Sequence, residues 1–118
     1  MTAEELQDRT KALALRVIRL ARTLPHDPAG RTVANQMVRS ATSVGANYRA
    51  ACRAQSRATF AAKLAIAEEE ADETQYWLEI LAESGLVKPN RLEDLIKEAR
   101  EIVAIMTASR RTTNTRPR

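Results

Sequence analysis

Two runs of like charge are the residues of this chain whose types and spacing could do chemistry. Arg31, Arg39, Arg49, Arg53, Arg57 and Lys63 are six bases in a stretch that holds no acid. Glu68, Glu69, Glu70, Asp72, Glu73, Glu79 and Glu83 follow as seven acids with no base among them. The carboxylates invite a di-metal centre of the ferritin type, which needs a Glu-x-x-His pair on each of two helices. The chain has one histidine, His26, beside Pro25 in an expected loop, so no cofactor or metal is expected. Ser40 and Ser43 have no His or Lys at matched spacing to activate them. The single Cys52 can form no disulfide within the chain, and next to Ala51 it reads as a small packing residue. The chain is therefore expected not to be an enzyme. Like-charged, acid-free runs point instead to phosphate binding, where neutralising several charges releases counterions.

The elements that position these charges are helical. The chain has 118 residues, a 44% hydrophobic fraction, three glycines, four prolines and four aromatic residues. Few breakers and many alanines predict an all-α domain with a modest core. Thr2 and Glu5 read as a capping box, and Leu6, Leu13, Val17, Leu20 and Leu24 form the seam of a first helix stopped by Leu24-Pro25. Ala34, Met37, Ala41, Val44, Tyr48 and Ala51 step by three and four along a second helix, from about Thr32 to Ala54. At about 100° per residue, Arg31, Arg39, Arg49 and Arg53 fall nearly opposite that seam. Gln36, Ser40, Ser43 and Asn47 form a small-polar stripe between the two.

Ser56 is the expected cap of a third helix, whose seam is Phe60, Leu64, Ala67, Ala71, Thr74, Leu78 and Leu81. Lys63, Glu70 and Trp77 flank that seam, as the polar stripe does on the second helix. Ser84-Gly85 ends it, Asn90 with Glu93 starts a fourth helix, and Leu92, Leu95, Ile96, Ala99, Ile102, Val103 and Met106 fill its seam. Four helices of roughly 18 to 26 residues with short loops predict an up-down-up-down four-helix bundle over residues 1–108. Residues 109–118 are expected to be a basic disordered tail.

Net charge is +4, but Arg110, Arg111, Arg116 and Arg118 supply all of it, so residues 1–109 balance at 15 bases against 15 acids. No secretory signal, membrane-spanning run or transit peptide opens the chain, which sets the cytoplasm as the expected compartment and a membrane as no partner.

Three uses of the arginine back remain open: a solvated surface, a nucleic-acid phosphate site, and a head-to-tail contact with the acidic back of a neighbouring copy. The phosphate reading names Arg39, Arg49, Arg53, Arg57, Arg110 and Arg111. The assembly reading names Gln36, Ser40, Ser43, Asn47, Lys63, Glu70 and Trp77 as the interface. Opposite charged faces that cannot meet within one bundle would then meet between bundles.

Arg39-Ser-Ala-Thr-Ser-Val-Gly-Ala-Asn-Tyr-Arg49, Phe60-x-x-Lys-Leu-x-Ile-Ala67 and Glu70-Ala-x-Glu-Thr-x-Tyr-Trp-Leu78 carry a resemblance. The chain resembles, from Leu13 to Met106, the bacterial four-helix bundle proteins related to those encoded in intervening sequences of large-subunit ribosomal RNA genes. The accessory variability determinant of diversity-generating retroelements is a more distant relative. Members often carry an acid just after the Asn-Tyr-Arg, where this chain has Ala50. The resemblance implies a four-helix protomer, a ring-shaped homopentamer, binding of RNA or DNA, and a protein partner such as a reverse transcriptase. Shared fold alone does not fix any of these functions.

Overall fold

The structure is a computed structural model, which describes the backbone of residues 1–115 and side chains through Thr113. Its helices are α1 (Ala3–Ala21), α2 (Pro28–Cys52), α3 (Arg57–Ser84) and α4 (Glu93–Thr115), with a single 3-10 turn at Pro89–Arg91. Short connections force antiparallel neighbours, and the result is the expected up-down-up-down bundle, 50 × 21 × 19 Å. α2 and α3 form the most extensive helix pair, and α1 meets α4 least.

Local chemistry sets most boundaries. Thr2 Oγ1 accepts from the Glu5 amide at 3.0 Å while the Glu5 carboxylate accepts from the Thr2 amide, the reciprocal box expected there. Asp27 accepts from the Gly30 amide at 2.8 Å with Pro28 in the first turn, so α2 begins at Pro28, earlier than the seam alone suggests. Ser56 caps α3 through the Thr59 amide at 3.1 Å. Gly85 closes α3 at φ 79°, a left-handed conformation glycine adopts without steric penalty.

The seams become the core. Leu13, Val17, Met37, Ala41, Val44, Leu64, Ala67, Ala71, Leu78, Leu81, Ala99, Ile102 and Met106 are fully buried. Two contacts between small residues let the helices approach closely. Thr10 is buried against Gly45, whose missing side chain would stand 3.3 Å from the Thr10 hydroxyl. Ser40 and Thr74 are buried 2.9 Å apart with their hydroxyls hydrogen-bonded across α2 and α3. Each hydroxyl also reaches a carbonyl of its own helix, Ser40 that of Met37 and Thr74 that of Glu70, so neither is left unpaired in the apolar interior.

Four expectations change. Asn90 does not cap α4: it lies inside the 3-10 turn, and buried Leu92 takes the position before Glu93, its carbonyl accepting from the Ile96 amide at 2.8 Å. Burial of Leu92 wins over the capping preference of Asn90. α4 also continues past Ser109 to Thr115, so the basic tail is shorter than expected, and the rest of that expectation, at residues 116–118, lies outside the described residues. The extension is tied down by Glu68 of α3, which accepts from Thr107 and from Arg110 Nε at 2.5 Å. Cys52 is exposed rather than packed, because it falls at the last turn of α2, beyond the seam. The charged backs of α2 and α3 do meet within one bundle, through Arg39.

Candidate nucleic-acid interface

Arg39 stands at the α3-facing edge of the arginine back, and its long side chain spans the groove to α3. It donates to Glu70 at 2.7 Å and to Glu73, while Gln36 accepts from its Nε at 3.4 Å. Trp77 donates its indole N–H to Glu73 at 3.0 Å. The Trp77 hydrogen bond and then Arg39 hold the Glu73 carboxyl below its usual range, although partial burial opposes them. Four of the expected interface residues thus converge in one region: Gln36, Glu70 and Trp77 around Arg39, and Ser40 just beneath in the core. Asn47 donates along α2 to the carbonyl and hydroxyl oxygens of Ser43, both at 2.9 Å. Lys63 has no ion-pair partner among the described residues. Arg39, named above for phosphate, is already neutralised by two carboxylates of its own chain.

The remaining bases gather at one end. Ala3 of α1, Cys52 of α2, Arg57 and Phe60 of α3 and Thr113 of α4 line a single hollow, which places the start of α1, the end of α2, the start of α3 and the end of α4 together. Arg49 lies in the last turn of α2 and Arg53 caps it. Arg57 is the first residue of α3, and Lys63 follows six residues, about 9 Å, along it. Arg111 is exposed on the last turns of α4. Arg110, also named above, is spent on Glu68: burial would raise that carboxyl, but hydrogen bonds from Arg110 and Thr107 hold it below the usual range. The acids Glu4, Glu5 and Asp8 of this end belong to α1, and Asp8 lines a groove between α1 and α2 that Arg49 also lines.

α3 carries its charge against its own dipole. Its first turn has no acid and starts on Arg57, and its last turn has no base and contains Glu83. Helices favour the reverse by about 0.3–1 kcal/mol per charge.

Several residues escaped the sequence. Leu15 on α1 and Ile66 and Tyr76 on α3 are exposed by 47%, 39% and 52%. Ile66, Tyr76 and the half-buried Ile80 share an outward face of α3, and their spacing of ten and four is the signal that was there to find. Arg9 and Glu98 form the α1–α4 bridge, with the Arg9 Nη2 at 2.5 Å and its Nε at 2.9 Å from the carboxylate. The Arg9 hydrogen bond holds Glu98 below the usual carboxyl range. Because the folded value is depressed, its stabilisation is complete above the unfolded value of about 4.3 and is lost as pH falls through the folded value. Urea midpoints are therefore expected to stay level from neutrality to about pH 5 and drop below it. Glu98→Gln should lower the neutral midpoint by about 0.5–1 kcal/mol of stability and flatten that acid limb. An acid limb unchanged in the variant would contradict the assignment.

Neither a metal cluster nor a membrane-crossing helix is found among the described residues. Tyr48 is buried, and desolvation with its contact to Cys52 pushes its phenol up to about 12, so it stays neutral. His26 is exposed at the opposite end, beside a groove between α1 and α2.

Comparison with known proteins agrees with this architecture. The family described as 23S rRNA-intervening sequence protein matches residues 4–108. A crystal structure of a protein of unknown function from the S23 ribosomal protein family of Bacteroides thetaiotaomicron is similar at 34% identity and a TM-score of 0.86. That similarity covers 94% of this chain and 99% of the other. A comparison with curated proteins finds no match. With all four helices represented in the matched range, the chain belongs to the 23S rRNA-intervening sequence protein family.

Proposed function

We propose that the protein is a non-enzymatic, self-assembling bundle that holds a nucleic acid by its phosphates at the end built from α2, α3 and α4. The observation that carries this is the convergence of Arg49, Arg53, Arg57, Lys63 and Arg111 from three helices on one end, where α3 opposes its own dipole. Backbone binding of this kind reads charge rather than sequence. It fits a family named for its place within ribosomal RNA genes. An anisotropy titration against labelled RNA and DNA duplexes should show affinity falling linearly with the logarithm of salt, with a slope of about −3 to −4 for four or so phosphates neutralised. Binding that ignores salt, or none at low ionic strength, would contradict it.

A second reading, assembly through charged faces, is favoured by exposed apolar residues. Ile66 and Tyr76 stand among the acids of α3, and Leu15 stands exposed on α1. Apolar centres rimmed by opposite charges are how copies pack on one another. Ile66→Glu with Tyr76→Glu should reduce the solution mass measured by light scattering to that of one chain. A mass unchanged by both would remove this face from assembly.

A further inference from the structure

The hollow at the basic end is more than a surface between helices. Its volume is about 590 Å³, within the roughly 300–1,000 Å³ of small-molecule sites. Small residues open it: Ala3, Ala51 and Ala54 stand where larger side chains would fill the end of the bundle. Its walls are Tyr48 and Phe60, and Gln55 and Arg57 stand at its polar side.

Phe60 is the aromatic residue that matters. Tyr48 is buried, and Tyr76 and Trp77 lie with their rings 5.1 Å apart on the acidic helix, Trp77 bonded to Glu73. Phe60 alone among the four is half-buried at the end where the bases gather, and it also borders a second, shallower hollow with Ser109 and Thr112. Phosphate binding needs no apolar hollow. An aromatic wall beside several bases is instead the combination that holds unpaired strands, by stacking and by charge together.

Resting on the nucleic-acid reading above, we infer that this hollow takes one unpaired nucleobase stacked on Phe60, with the flanking phosphates on Arg53 and its basic neighbours. The ligand class is thus a nucleic acid with a single-stranded end or loop. A blunt duplex has its bases stacked on one another and would have to extrude one to fill the hollow. Gln55 carries both a donor and an acceptor, so it can meet the edge of any base, and no sequence preference is expected.

The test compares a blunt duplex with the same duplex carrying a short single-stranded end, at one salt concentration. The extended duplex should bind about tenfold more tightly. Phe60→Leu keeps the apolar bulk, removes the π-face, and should abolish that difference while leaving the blunt duplex unaffected. Equal binding of the two ligands, or a difference that survives in Phe60→Leu, would overturn the inference and leave phosphate binding standing. Absence of binding to both would overturn phosphate binding as well. Should Phe60→Leu melt early, a photoreactive thiothymidine in the single-stranded end of the DNA keeps the question open to the native chain. Cross-linking to the peptide that contains Phe60 is expected, and cross-linking confined to other peptides would overturn it.

Discussion

Gly30→Ala is expected to destabilise the protein by about 3 kcal/mol, read as a fall in the urea midpoint, despite adding a single methyl group. A Cβ built on Gly30 stands 2.0 Å from the Pro25 carbonyl oxygen and 2.9 Å from its carbon. Those are backbone atoms, so no side chain can swing aside, and relief requires moving the α1–α2 connection. That connection also carries the Asp27 cap, whose carboxylate oxygen would stand 3.2 Å from the new carbon and accepts from the Gly30 amide. Overpacking of about 1–3 kcal/mol and loss of a cap of about 1 kcal/mol together give the expected magnitude. Gly45→Ala is the internal comparison, since its Cβ meets Thr10 at 3.3 Å, where a side chain can yield. A Gly30→Ala midpoint equal to that of Gly45→Ala would show that the loop gives way freely.

The second large effect concerns the ends of the bundle. Arg49→Glu with Arg53→Glu should weaken nucleic-acid binding about a hundredfold, roughly tenfold for each phosphate contact reversed. The expectation is specific to place. Arg22 and Arg31 lie beside the groove at the other end, near His26, and their reversal alters net charge by the same amount. Long-range attraction is therefore equally reduced in the two double variants, and only the local contacts differ.

The elements most legible in the sequence were those fixed by neighbours in the chain. Thr2 with Glu5, Ser56 and Gly85 set their boundaries through bonds that span three residues or through one backbone conformation, and the seams of α1 to α4 follow from helical period alone. What escaped was decided by residues far apart. Leu92 starts α4 because it is buried by elements outside its own helix, and α4 outruns its apolar seam because Glu68, 42 residues before Arg110, holds it. Helical angle sets the arginine back opposite the seam, yet angle on a helix does not show how far a side chain reaches. Arg39 is therefore a partner of Glu70 and Glu73, while Arg49 and Arg53, lower on the same face, are not.

The basic end itself could not be read from the chain in order, since it joins the last turn of one helix, the first of the next and the last of a fourth. Its parts were all named, but apart: Arg49 and Arg53 on a stripe of α2, Arg57 in the acid-free run, Lys63 beside the seam of α3 and Arg111 in a tail. The bundle replaces that stripe with a cluster.

The measurement that bears most directly on this cluster is anisotropy of one labelled duplex with the two double variants, at a single low salt concentration. Arg49→Glu with Arg53→Glu should lose about a hundredfold in affinity and Arg22→Glu with Arg31→Glu less than about threefold. Equal losses from both would mean that net charge and not the α2–α3–α4 end attracts the nucleic acid, and would contradict the account.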